Sequence, residues 1–240
     1  MLVRSRRAPF ERFAVAFCGL MFLCGDWGSL PAIQAATETV PLRITVIGDS
    51  ISKLQILPGS AVPCGVPTNG VIPCKYSTDG SKSYPALIAV QTGDIVTNLA
   101  SPGARTVENS PGTIAVINQV PSIPKNSNVV IVESGTNDTS AHGASPQYLA
   151  DISKVVSAVH ARVPGARMIF IGVRYFWQVS SINDRVNLWD ADLRLQNGTF
   201  IDTRQQWPPG VNVDWPDGTH PGPGAVRALA RDIESTLKGS

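Results

Sequence analysis

A chain of 240 residues that is 43% apolar and 16% charged is long enough to bury the core of one medium domain, and its composition excludes a largely disordered protein. Its formal net charge is only +2, and the excess sits at the front: residues 1–35 hold four of the 20 basic residues and two of the 18 acidic ones, leaving 16 against 16. A body this close to neutral excludes a protein built for electrostatic capture of nucleic acid or of an anionic membrane.

In chain order, the first segment differs in kind from the rest. Arg4, Arg6 and Arg7 precede an apolar run from Phe13 to Leu23, and small residues follow at Ala32, Ala35 and Ala36. That is the plan of a secretory signal peptide cleaved after Ala35, and the run is too short for a comfortable membrane span. The expected organisation is a leader over residues 1–35 and one domain over 36–240, exported to the periplasm or the medium as a monomer without stable membrane insertion. Two of the four cysteines belong to the leader. The others, Cys64 and Cys74, lie in "PCGVPTNGVIPC", and an even pair in an exported chain favours one disulfide. Two thiols with no histidine nearby are too few ligands for a metal, so no metal is expected.

Beyond the leader, short β-branched runs alternate with helical patterns. Strands are predicted at Arg43–Ile47, Ile95–Leu99, Asn128–Glu133, Arg167–Val173 and Thr199–Asp202. Helices are predicted at Tyr84–Thr92, Thr113–Val120, Pro146–Val163, Ile182–Gln196 and from about Gly222 to Leu237. In the third of these Leu149, Ile152, Val155, Val156 and Val159 recur at three- and four-residue spacing, which describes one buried stripe. Alternation of this kind argues for an α/β fold, a parallel sheet covered by helices on both faces. Gln55–Lys82, a Pro/Gly/Ser-rich insertion after the first strand, is the main irregularity and is expected to wall or cover a site beside that strand.

The first strand runs into "ITVIGDSIS", where Gly48, Asp49 and Ser50 are either an ordinary turn or a site at the carboxyl end of a parallel strand. A serine hydroxyl needs a base to become a nucleophile, most often a histidine oriented by a carboxylate. Of the three histidines, His160 falls on the solvent side of its predicted helix. His142, in "NDTSAHGAS", could line a site, with Asp138 as the nearest carboxylate. His220 stands in "WPDGTHPGPG", where Asp217 lies three residues earlier and Gly218 permits a tight turn. Donors for an oxyanion are offered by Gly103 in "NLASPGART" and by Asn137 in "VESGTNDTS", each just past a predicted strand.

Together these residues resemble the SGNH or GDSL hydrolases, block by block and in family order. Gly48-Asp49-Ser50 is similar to the first block, Gly103 to the second, Gly135-Thr136-Asn137-Asp138 to the third, and Asp217-Gly-Thr-His220 to the D-x-x-H block. The resemblance spans about Ile44 to Leu237 and implies a three-layer, flavodoxin-like α/β/α sandwich on a five-stranded parallel sheet. It implies Ser50 as nucleophile, His220 as base and Asp217 as its orienting carboxylate. The oxyanion would be held by the N–H groups of Ser50 and Gly103 and the Asn137 amide, with no cofactor. The G-x-S-x-G pattern of another serine-hydrolase family fits less well, since Ser50 is followed by Ile51 and Ser52.

The expected activity is hydrolysis of acyl esters, short-chain or acetyl, on a small molecule or a polysaccharide. An acyltransferase with the same site, or a non-catalytic carbohydrate-binding protein on this fold, are the alternatives. Candidate substrate-lining residues are Asp49, His142, Tyr175, Trp177 and Trp215; the aromatic ones could stack on a sugar or line an acyl channel, or serve only as apolar cover.

Overall fold

A computed structural model describes residues 40–56, 76–77, 80–109, 111–138, 146–172, 198–201 and 220–239. The predicted leader, Cys64 and Cys74, the predicted helix Ile182–Gln196 and most of the Gln55–Lys82 insertion lie outside the described residues.

The central sheet has five strands: β1 (Arg43–Ile47), β4 (Ile95–Asn98), β5 (Val129–Glu133), β6 (Arg167–Ile171) and β7 (Gly198–Ile201). Their order is β4-β1-β5-β6-β7 and every pairing is parallel, with Ile44 of β1 beside Val96 on one side and Val129 on the other. The chain therefore passes from β1 outward to β4, then returns across β1 to β5. This reversal makes the carboxyl end of β1 a topological switch point, the place where open sheets of this kind hold ligands.

Side chains alternate across the sheet and each face acquires its own helical layer. On one face Ile47, Val130, Val132, Met168 and Phe170 pack with α2 (Val116–Gln119) and α3 (Pro146–Arg162). On the other, Ile44, Val46, Ile131, Ile169 and Ile201 pack with α1 (Tyr84–Thr92) and the last helix, α4 (Pro223–Lys238). The predicted stripe on α3 is the buried one, extended by Tyr148, while His160 is exposed as expected. α1 begins with Pro85 in its first turn and stops at Gly93, whose φ of 73° lets its N–H return to the Ala89 carbonyl. Each fully buried Val, Ile or Leu of these layers contributes on the order of 1.5–3 kcal/mol.

Two expectations need correction. The helix predicted at Thr113–Val120 is only the four residues of α2, continued by a 3₁₀ turn at Val120–Ser122. Ala115 is extended (φ −55°, ψ 150°) and gives its N–H to Asn109 Oδ1, so the helix starts late, and Pro121 ends the regular α pattern. The insertion after β1 is not loop at its ends, because β2 (Gln55–Ile56) pairs antiparallel with β3 (Tyr76–Ser77).

Candidate active site

The candidate site is built around a turn that the chain could not make with a larger residue at its start. Gly48 follows β1, and a Cβ there would stand 2.6 Å from the Glu133 carbonyl oxygen and 2.9 Å from Ser52 Oγ. The ends of β1 and β5 thus close on each other directly. Gln119 of α2 reaches the same residue, accepting the Gly48 N–H at 2.8 Å and donating to the Gly48 carbonyl at 2.9 Å. Its amide takes the place of a neighbouring strand just where the sheet gives out.

Ser50 comes two residues later and is 4% exposed. Its carbonyl accepts the N–H groups of Lys53 and Leu54 at 3.1 and 2.7 Å, which winds residues 50–54 into a tight turn. The turn is fastened to α1 by Ser52 Oγ and Tyr84 OH at 2.8 Å, and to β4 by Asn98 Nδ2 donating to the Ser52 carbonyl at 2.9 Å. From the loop before α4, His220 brings Nε2 to 3.0 Å from Ser50 Oγ. A ring nitrogen at that distance can take the hydroxyl proton.

Gly103 and Asn137 approach from either side. The ladder between β1 and β4 continues past the strands, with Ser101 N–H on the Gly48 carbonyl at 3.0 Å, and this carries Gly103 toward the Ser50 turn. Gly103 has a φ of 79°, a backbone that favours glycine. Among the described residues no hydrogen bond engages the N–H of Ser50 or of Gly103. Asn137, past β5, donates from Nδ2 to the Ala104 carbonyl at 3.0 Å and to Asp49 Oδ2 at 3.2 Å.

Asp49, expected among the lining residues, is fully buried. Oδ1 accepts the Ile51 N–H at 2.9 Å, while Glu133 Oε2 accepts the Asp49 N–H at 3.3 Å. Burial raises the Asp49 carboxyl above its ordinary range, opposed by its hydrogen bonds to Glu133 and the Ile51 N–H and by the nearby His220. Asp138, the carboxylate considered for His142, is committed elsewhere: it accepts the Thr106 N–H at 3.0 Å and the Thr106 hydroxyl at 2.9 Å. Burial lifts its pKa and these bonds pull it back. Thr106 Oγ1 lies 2.7 Å from Ser134 Oγ, and Tyr148 of α3 donates its hydroxyl to the Ser134 carbonyl at 2.7 Å, which fixes the backbone just before Asn137. Asp217, His142, Tyr175, Trp177 and Trp215 lie outside the described residues.

Local pattern did not single out Gln119, Tyr84 or Glu133. Only Glu133 carried a signal, a carboxyl at the end of the otherwise apolar run Val-Val-Ile-Val. Among the described residues no cluster of His, Cys, Asp and Glu could hold a metal ion, and no helix is long and apolar enough to cross a membrane.

Comparison with known proteins agrees with this architecture. The model of the GDSL-like lipase/acylhydrolase family matches residues 46–228. Among solved structures, one similar chain is a carbohydrate esterase whose active site "displays divergent catalytic and non-catalytic binding functions" (19% identity, 83% of this chain and 69% of that one, TM-score 0.55). A second is a family two carbohydrate esterase from Clostridium thermocellum in complex with cellohexaose (17% identity, TM-score 0.52), where 84% of this chain spans 65% of that one, just under two thirds. A third is TesA (18% identity, 82% and 98% covered, TM-score 0.56). At such identities these likenesses show the fold. A search of curated protein sequences finds no match.

Proposed function

The chain belongs to the GDSL-like lipase/acylhydrolase family and is an esterase, and from that premise we propose that it is an exported serine esterase acting through Ser50, His220 and Asp217. The observation that carries this reading is the 3.0 Å approach of His220 Nε2 to Ser50 Oγ, between residues 170 positions apart in sequence. In the proposed reaction His220 takes the Ser50 proton as Oγ attacks the ester carbonyl. The tetrahedral oxyanion is held by the N–H groups of Ser50 and Gly103 and by the Asn137 amide. His220 then protonates the departing alcohol, leaving an acyl group on Ser50. Water, deprotonated by His220, attacks this acyl-enzyme, and Ser50 leaves with its proton restored. Asp217 orients the imidazole in this scheme.

The substrate class we favour is a short acyl ester, acetyl above all, on an extracellular polysaccharide. Two of the similar structures are described as carbohydrate esterases, one of them holding a cello-oligosaccharide. The leader read from residues 1–35 would deliver the enzyme to such a substrate, and the near-neutral body suits an uncharged sugar. Release of p-nitrophenol from acetyl, butyryl and octanoyl esters tests the reading, together with acetate release from acetylated xylan or cellulose. The expected result is turnover that falls with chain length and is abolished in Ser50→Ala and His220→Ala variants of native stability. Equal rates in parent and variants would overturn it.

A further inference from the structure

Beneath the Ser50 turn lies a second carboxyl that the proposed chemistry does not use. Glu133 closes β5 and is 1% exposed, facing Asp49, which is 0% exposed. Its Oε2 accepts the Asp49 N–H at 3.3 Å and its Oε1 accepts the Thr136 hydroxyl at 3.4 Å, both long contacts. The first contact sets the Glu133 carboxyl beside Asp49, and the negative charge of Asp49 acts on it to favour its protonated form. Among the described residues neither group has a lysine or arginine partner. Two buried carboxyls side by side with no such partner keep one proton between the two of them, because two adjacent negative charges in such a place are mutually destabilising.

The Asn137 amide makes this proton matter. Both Nδ2 hydrogens are engaged, one by the Ala104 carbonyl and one by Asp49 Oδ2, so an oxyanion needs one of them released or shared. The bond to Asp49, at 3.2 Å, is the longer of the two. We infer that Glu133 is held as a carboxylic acid whose proton occupies Asp49, so that Asp49 orients the Asn137 amide without monopolising it. Glu133 is then a positioning residue, acting on the oxyanion through Asp49 and Asn137. This deepens the esterase reading and rests on Asn137 being an oxyanion donor.

The surroundings are consistent with one retained proton. Burial, then the Asp49 charge, raises Glu133 well above the usual carboxylate range. The other titratable groups facing the pair are Tyr84 from α1, Tyr148 from α3 and His220 from the loop before α4. Burial pushes both tyrosines well above their ordinary value, so they stay neutral where Glu133 would titrate. When Glu133 does lose its proton at alkaline pH, Asp49 claims the Asn137 N–H and a second negative charge stands beside the developing oxyanion.

Two measurements on the full chain test this. Infrared difference spectra in D₂O of parent against Glu133→Gln should show a protonated-carboxyl band at neutral pD that the variant lacks; its absence from the parent overturns the inference whether or not any ester is turned over. In ester kinetics Glu133→Ala should lower kcat about ten- to a hundredfold with KM little changed, a smaller loss than the roughly 10²–10³-fold of deleting an oxyanion donor. Glu133→Gln, whose amide can still donate to Asp49, should restore kcat to within about threefold and lose the alkaline fall of kcat/KM. A folded Glu133→Ala with parental kcat, or a Gln variant that keeps the alkaline limb, overturns it. No turnover in the parent would count against the esterase reading instead, and the infrared band would still decide the state of Glu133.

Discussion

The two ends of the parallel sheet use polar side chains in opposite ways. At the amino end, apart from the buried pair of hydroxyls on Thr45 and Ser127, they close the backbone in partly open positions: Asp94 accepts the Leu42 N–H, Asn128 accepts the Arg43 N–H, and Arg167 donates to the Thr236 carbonyl, each at 2.8 Å. At the carboxyl end the polar groups are buried, among them Asp49, Ser50, Ser52, Thr106, Gln119, Glu133, Ser134 and Asp138. Water can replace a partner lost at the first end. At the second, a lost partner leaves a desolvated group unsatisfied, which costs about 1–3 kcal/mol. An apolar plug would make the carboxyl end more stable, so the network there marks the end built for chemistry.

The sharpest break between the ends is expected at Ser50 and His220. Ser50→Ala and His220→Ala should each lower kcat by ~10⁴-fold or more on p-nitrophenyl esters. Thermal unfolding should barely move, because the Ser50 carbonyl, not its hydroxyl, holds the turn to Lys53 and Leu54. Asn137→Ala comes next. It removes one proposed oxyanion donor and should lower kcat about 10²–10³-fold with KM largely kept, and steady-state kinetics on the acetyl ester would check the split.

How far this end was legible in the sequence depends on the range of each interaction. Ser50, Gly103, Asn137 and His220 announce themselves because each follows a strand or precedes a helix in a short run of turn residues. β1 and α1 have the predicted bounds, since a β-branched run ending at Gly48, and a helix framed by Pro85 and Gly93, carry their limits locally. Gln119 and Glu133 act on Gly48 and Asp49 across 71 and 84 positions, and no local pattern records such a pairing. The same cause explains the helix expected from Thr113. Its first residues are drawn off by Asn109, which accepts the Ala115 N–H, and by Ser101 Oγ, which accepts the Ile114 N–H.

Gln119→Ala tests whether the carboxyl-end network also bears on folding. The amide is 3% exposed and satisfies both the N–H and the carbonyl of Gly48. Its removal strands the buried Gly48 N–H, while the Gly48 carbonyl keeps the Ser101 N–H, so stability should fall by about 1–3 kcal/mol, the penalty for one unsatisfied group. Urea unfolding measures this. A smaller loss in kcat should accompany it, because Gly48 leads directly into the Ser50 turn.

Asn128→Ala is the counterpart at the amino end and should have the smallest effect. The residue is exposed, and its side chain accepts the Arg43 N–H at 2.8 Å. Its backbone stays in the sheet whatever the side chain, since its N–H donates to the Arg43 carbonyl at 2.8 Å and its carbonyl accepts the Arg167 N–H at 2.9 Å. The variant loses one hydrogen bond to a group that water can reach, worth about 0.5–1.5 kcal/mol at most. Its kcat and KM should equal those of the parent, because the Ser50 turn is fastened through Gln119, Tyr84 and Asn98 and not through the opposite end of β1. A loss of activity in Asn128→Ala, at parental stability, would mean that strain travels along β1 and that the two ends are not independent.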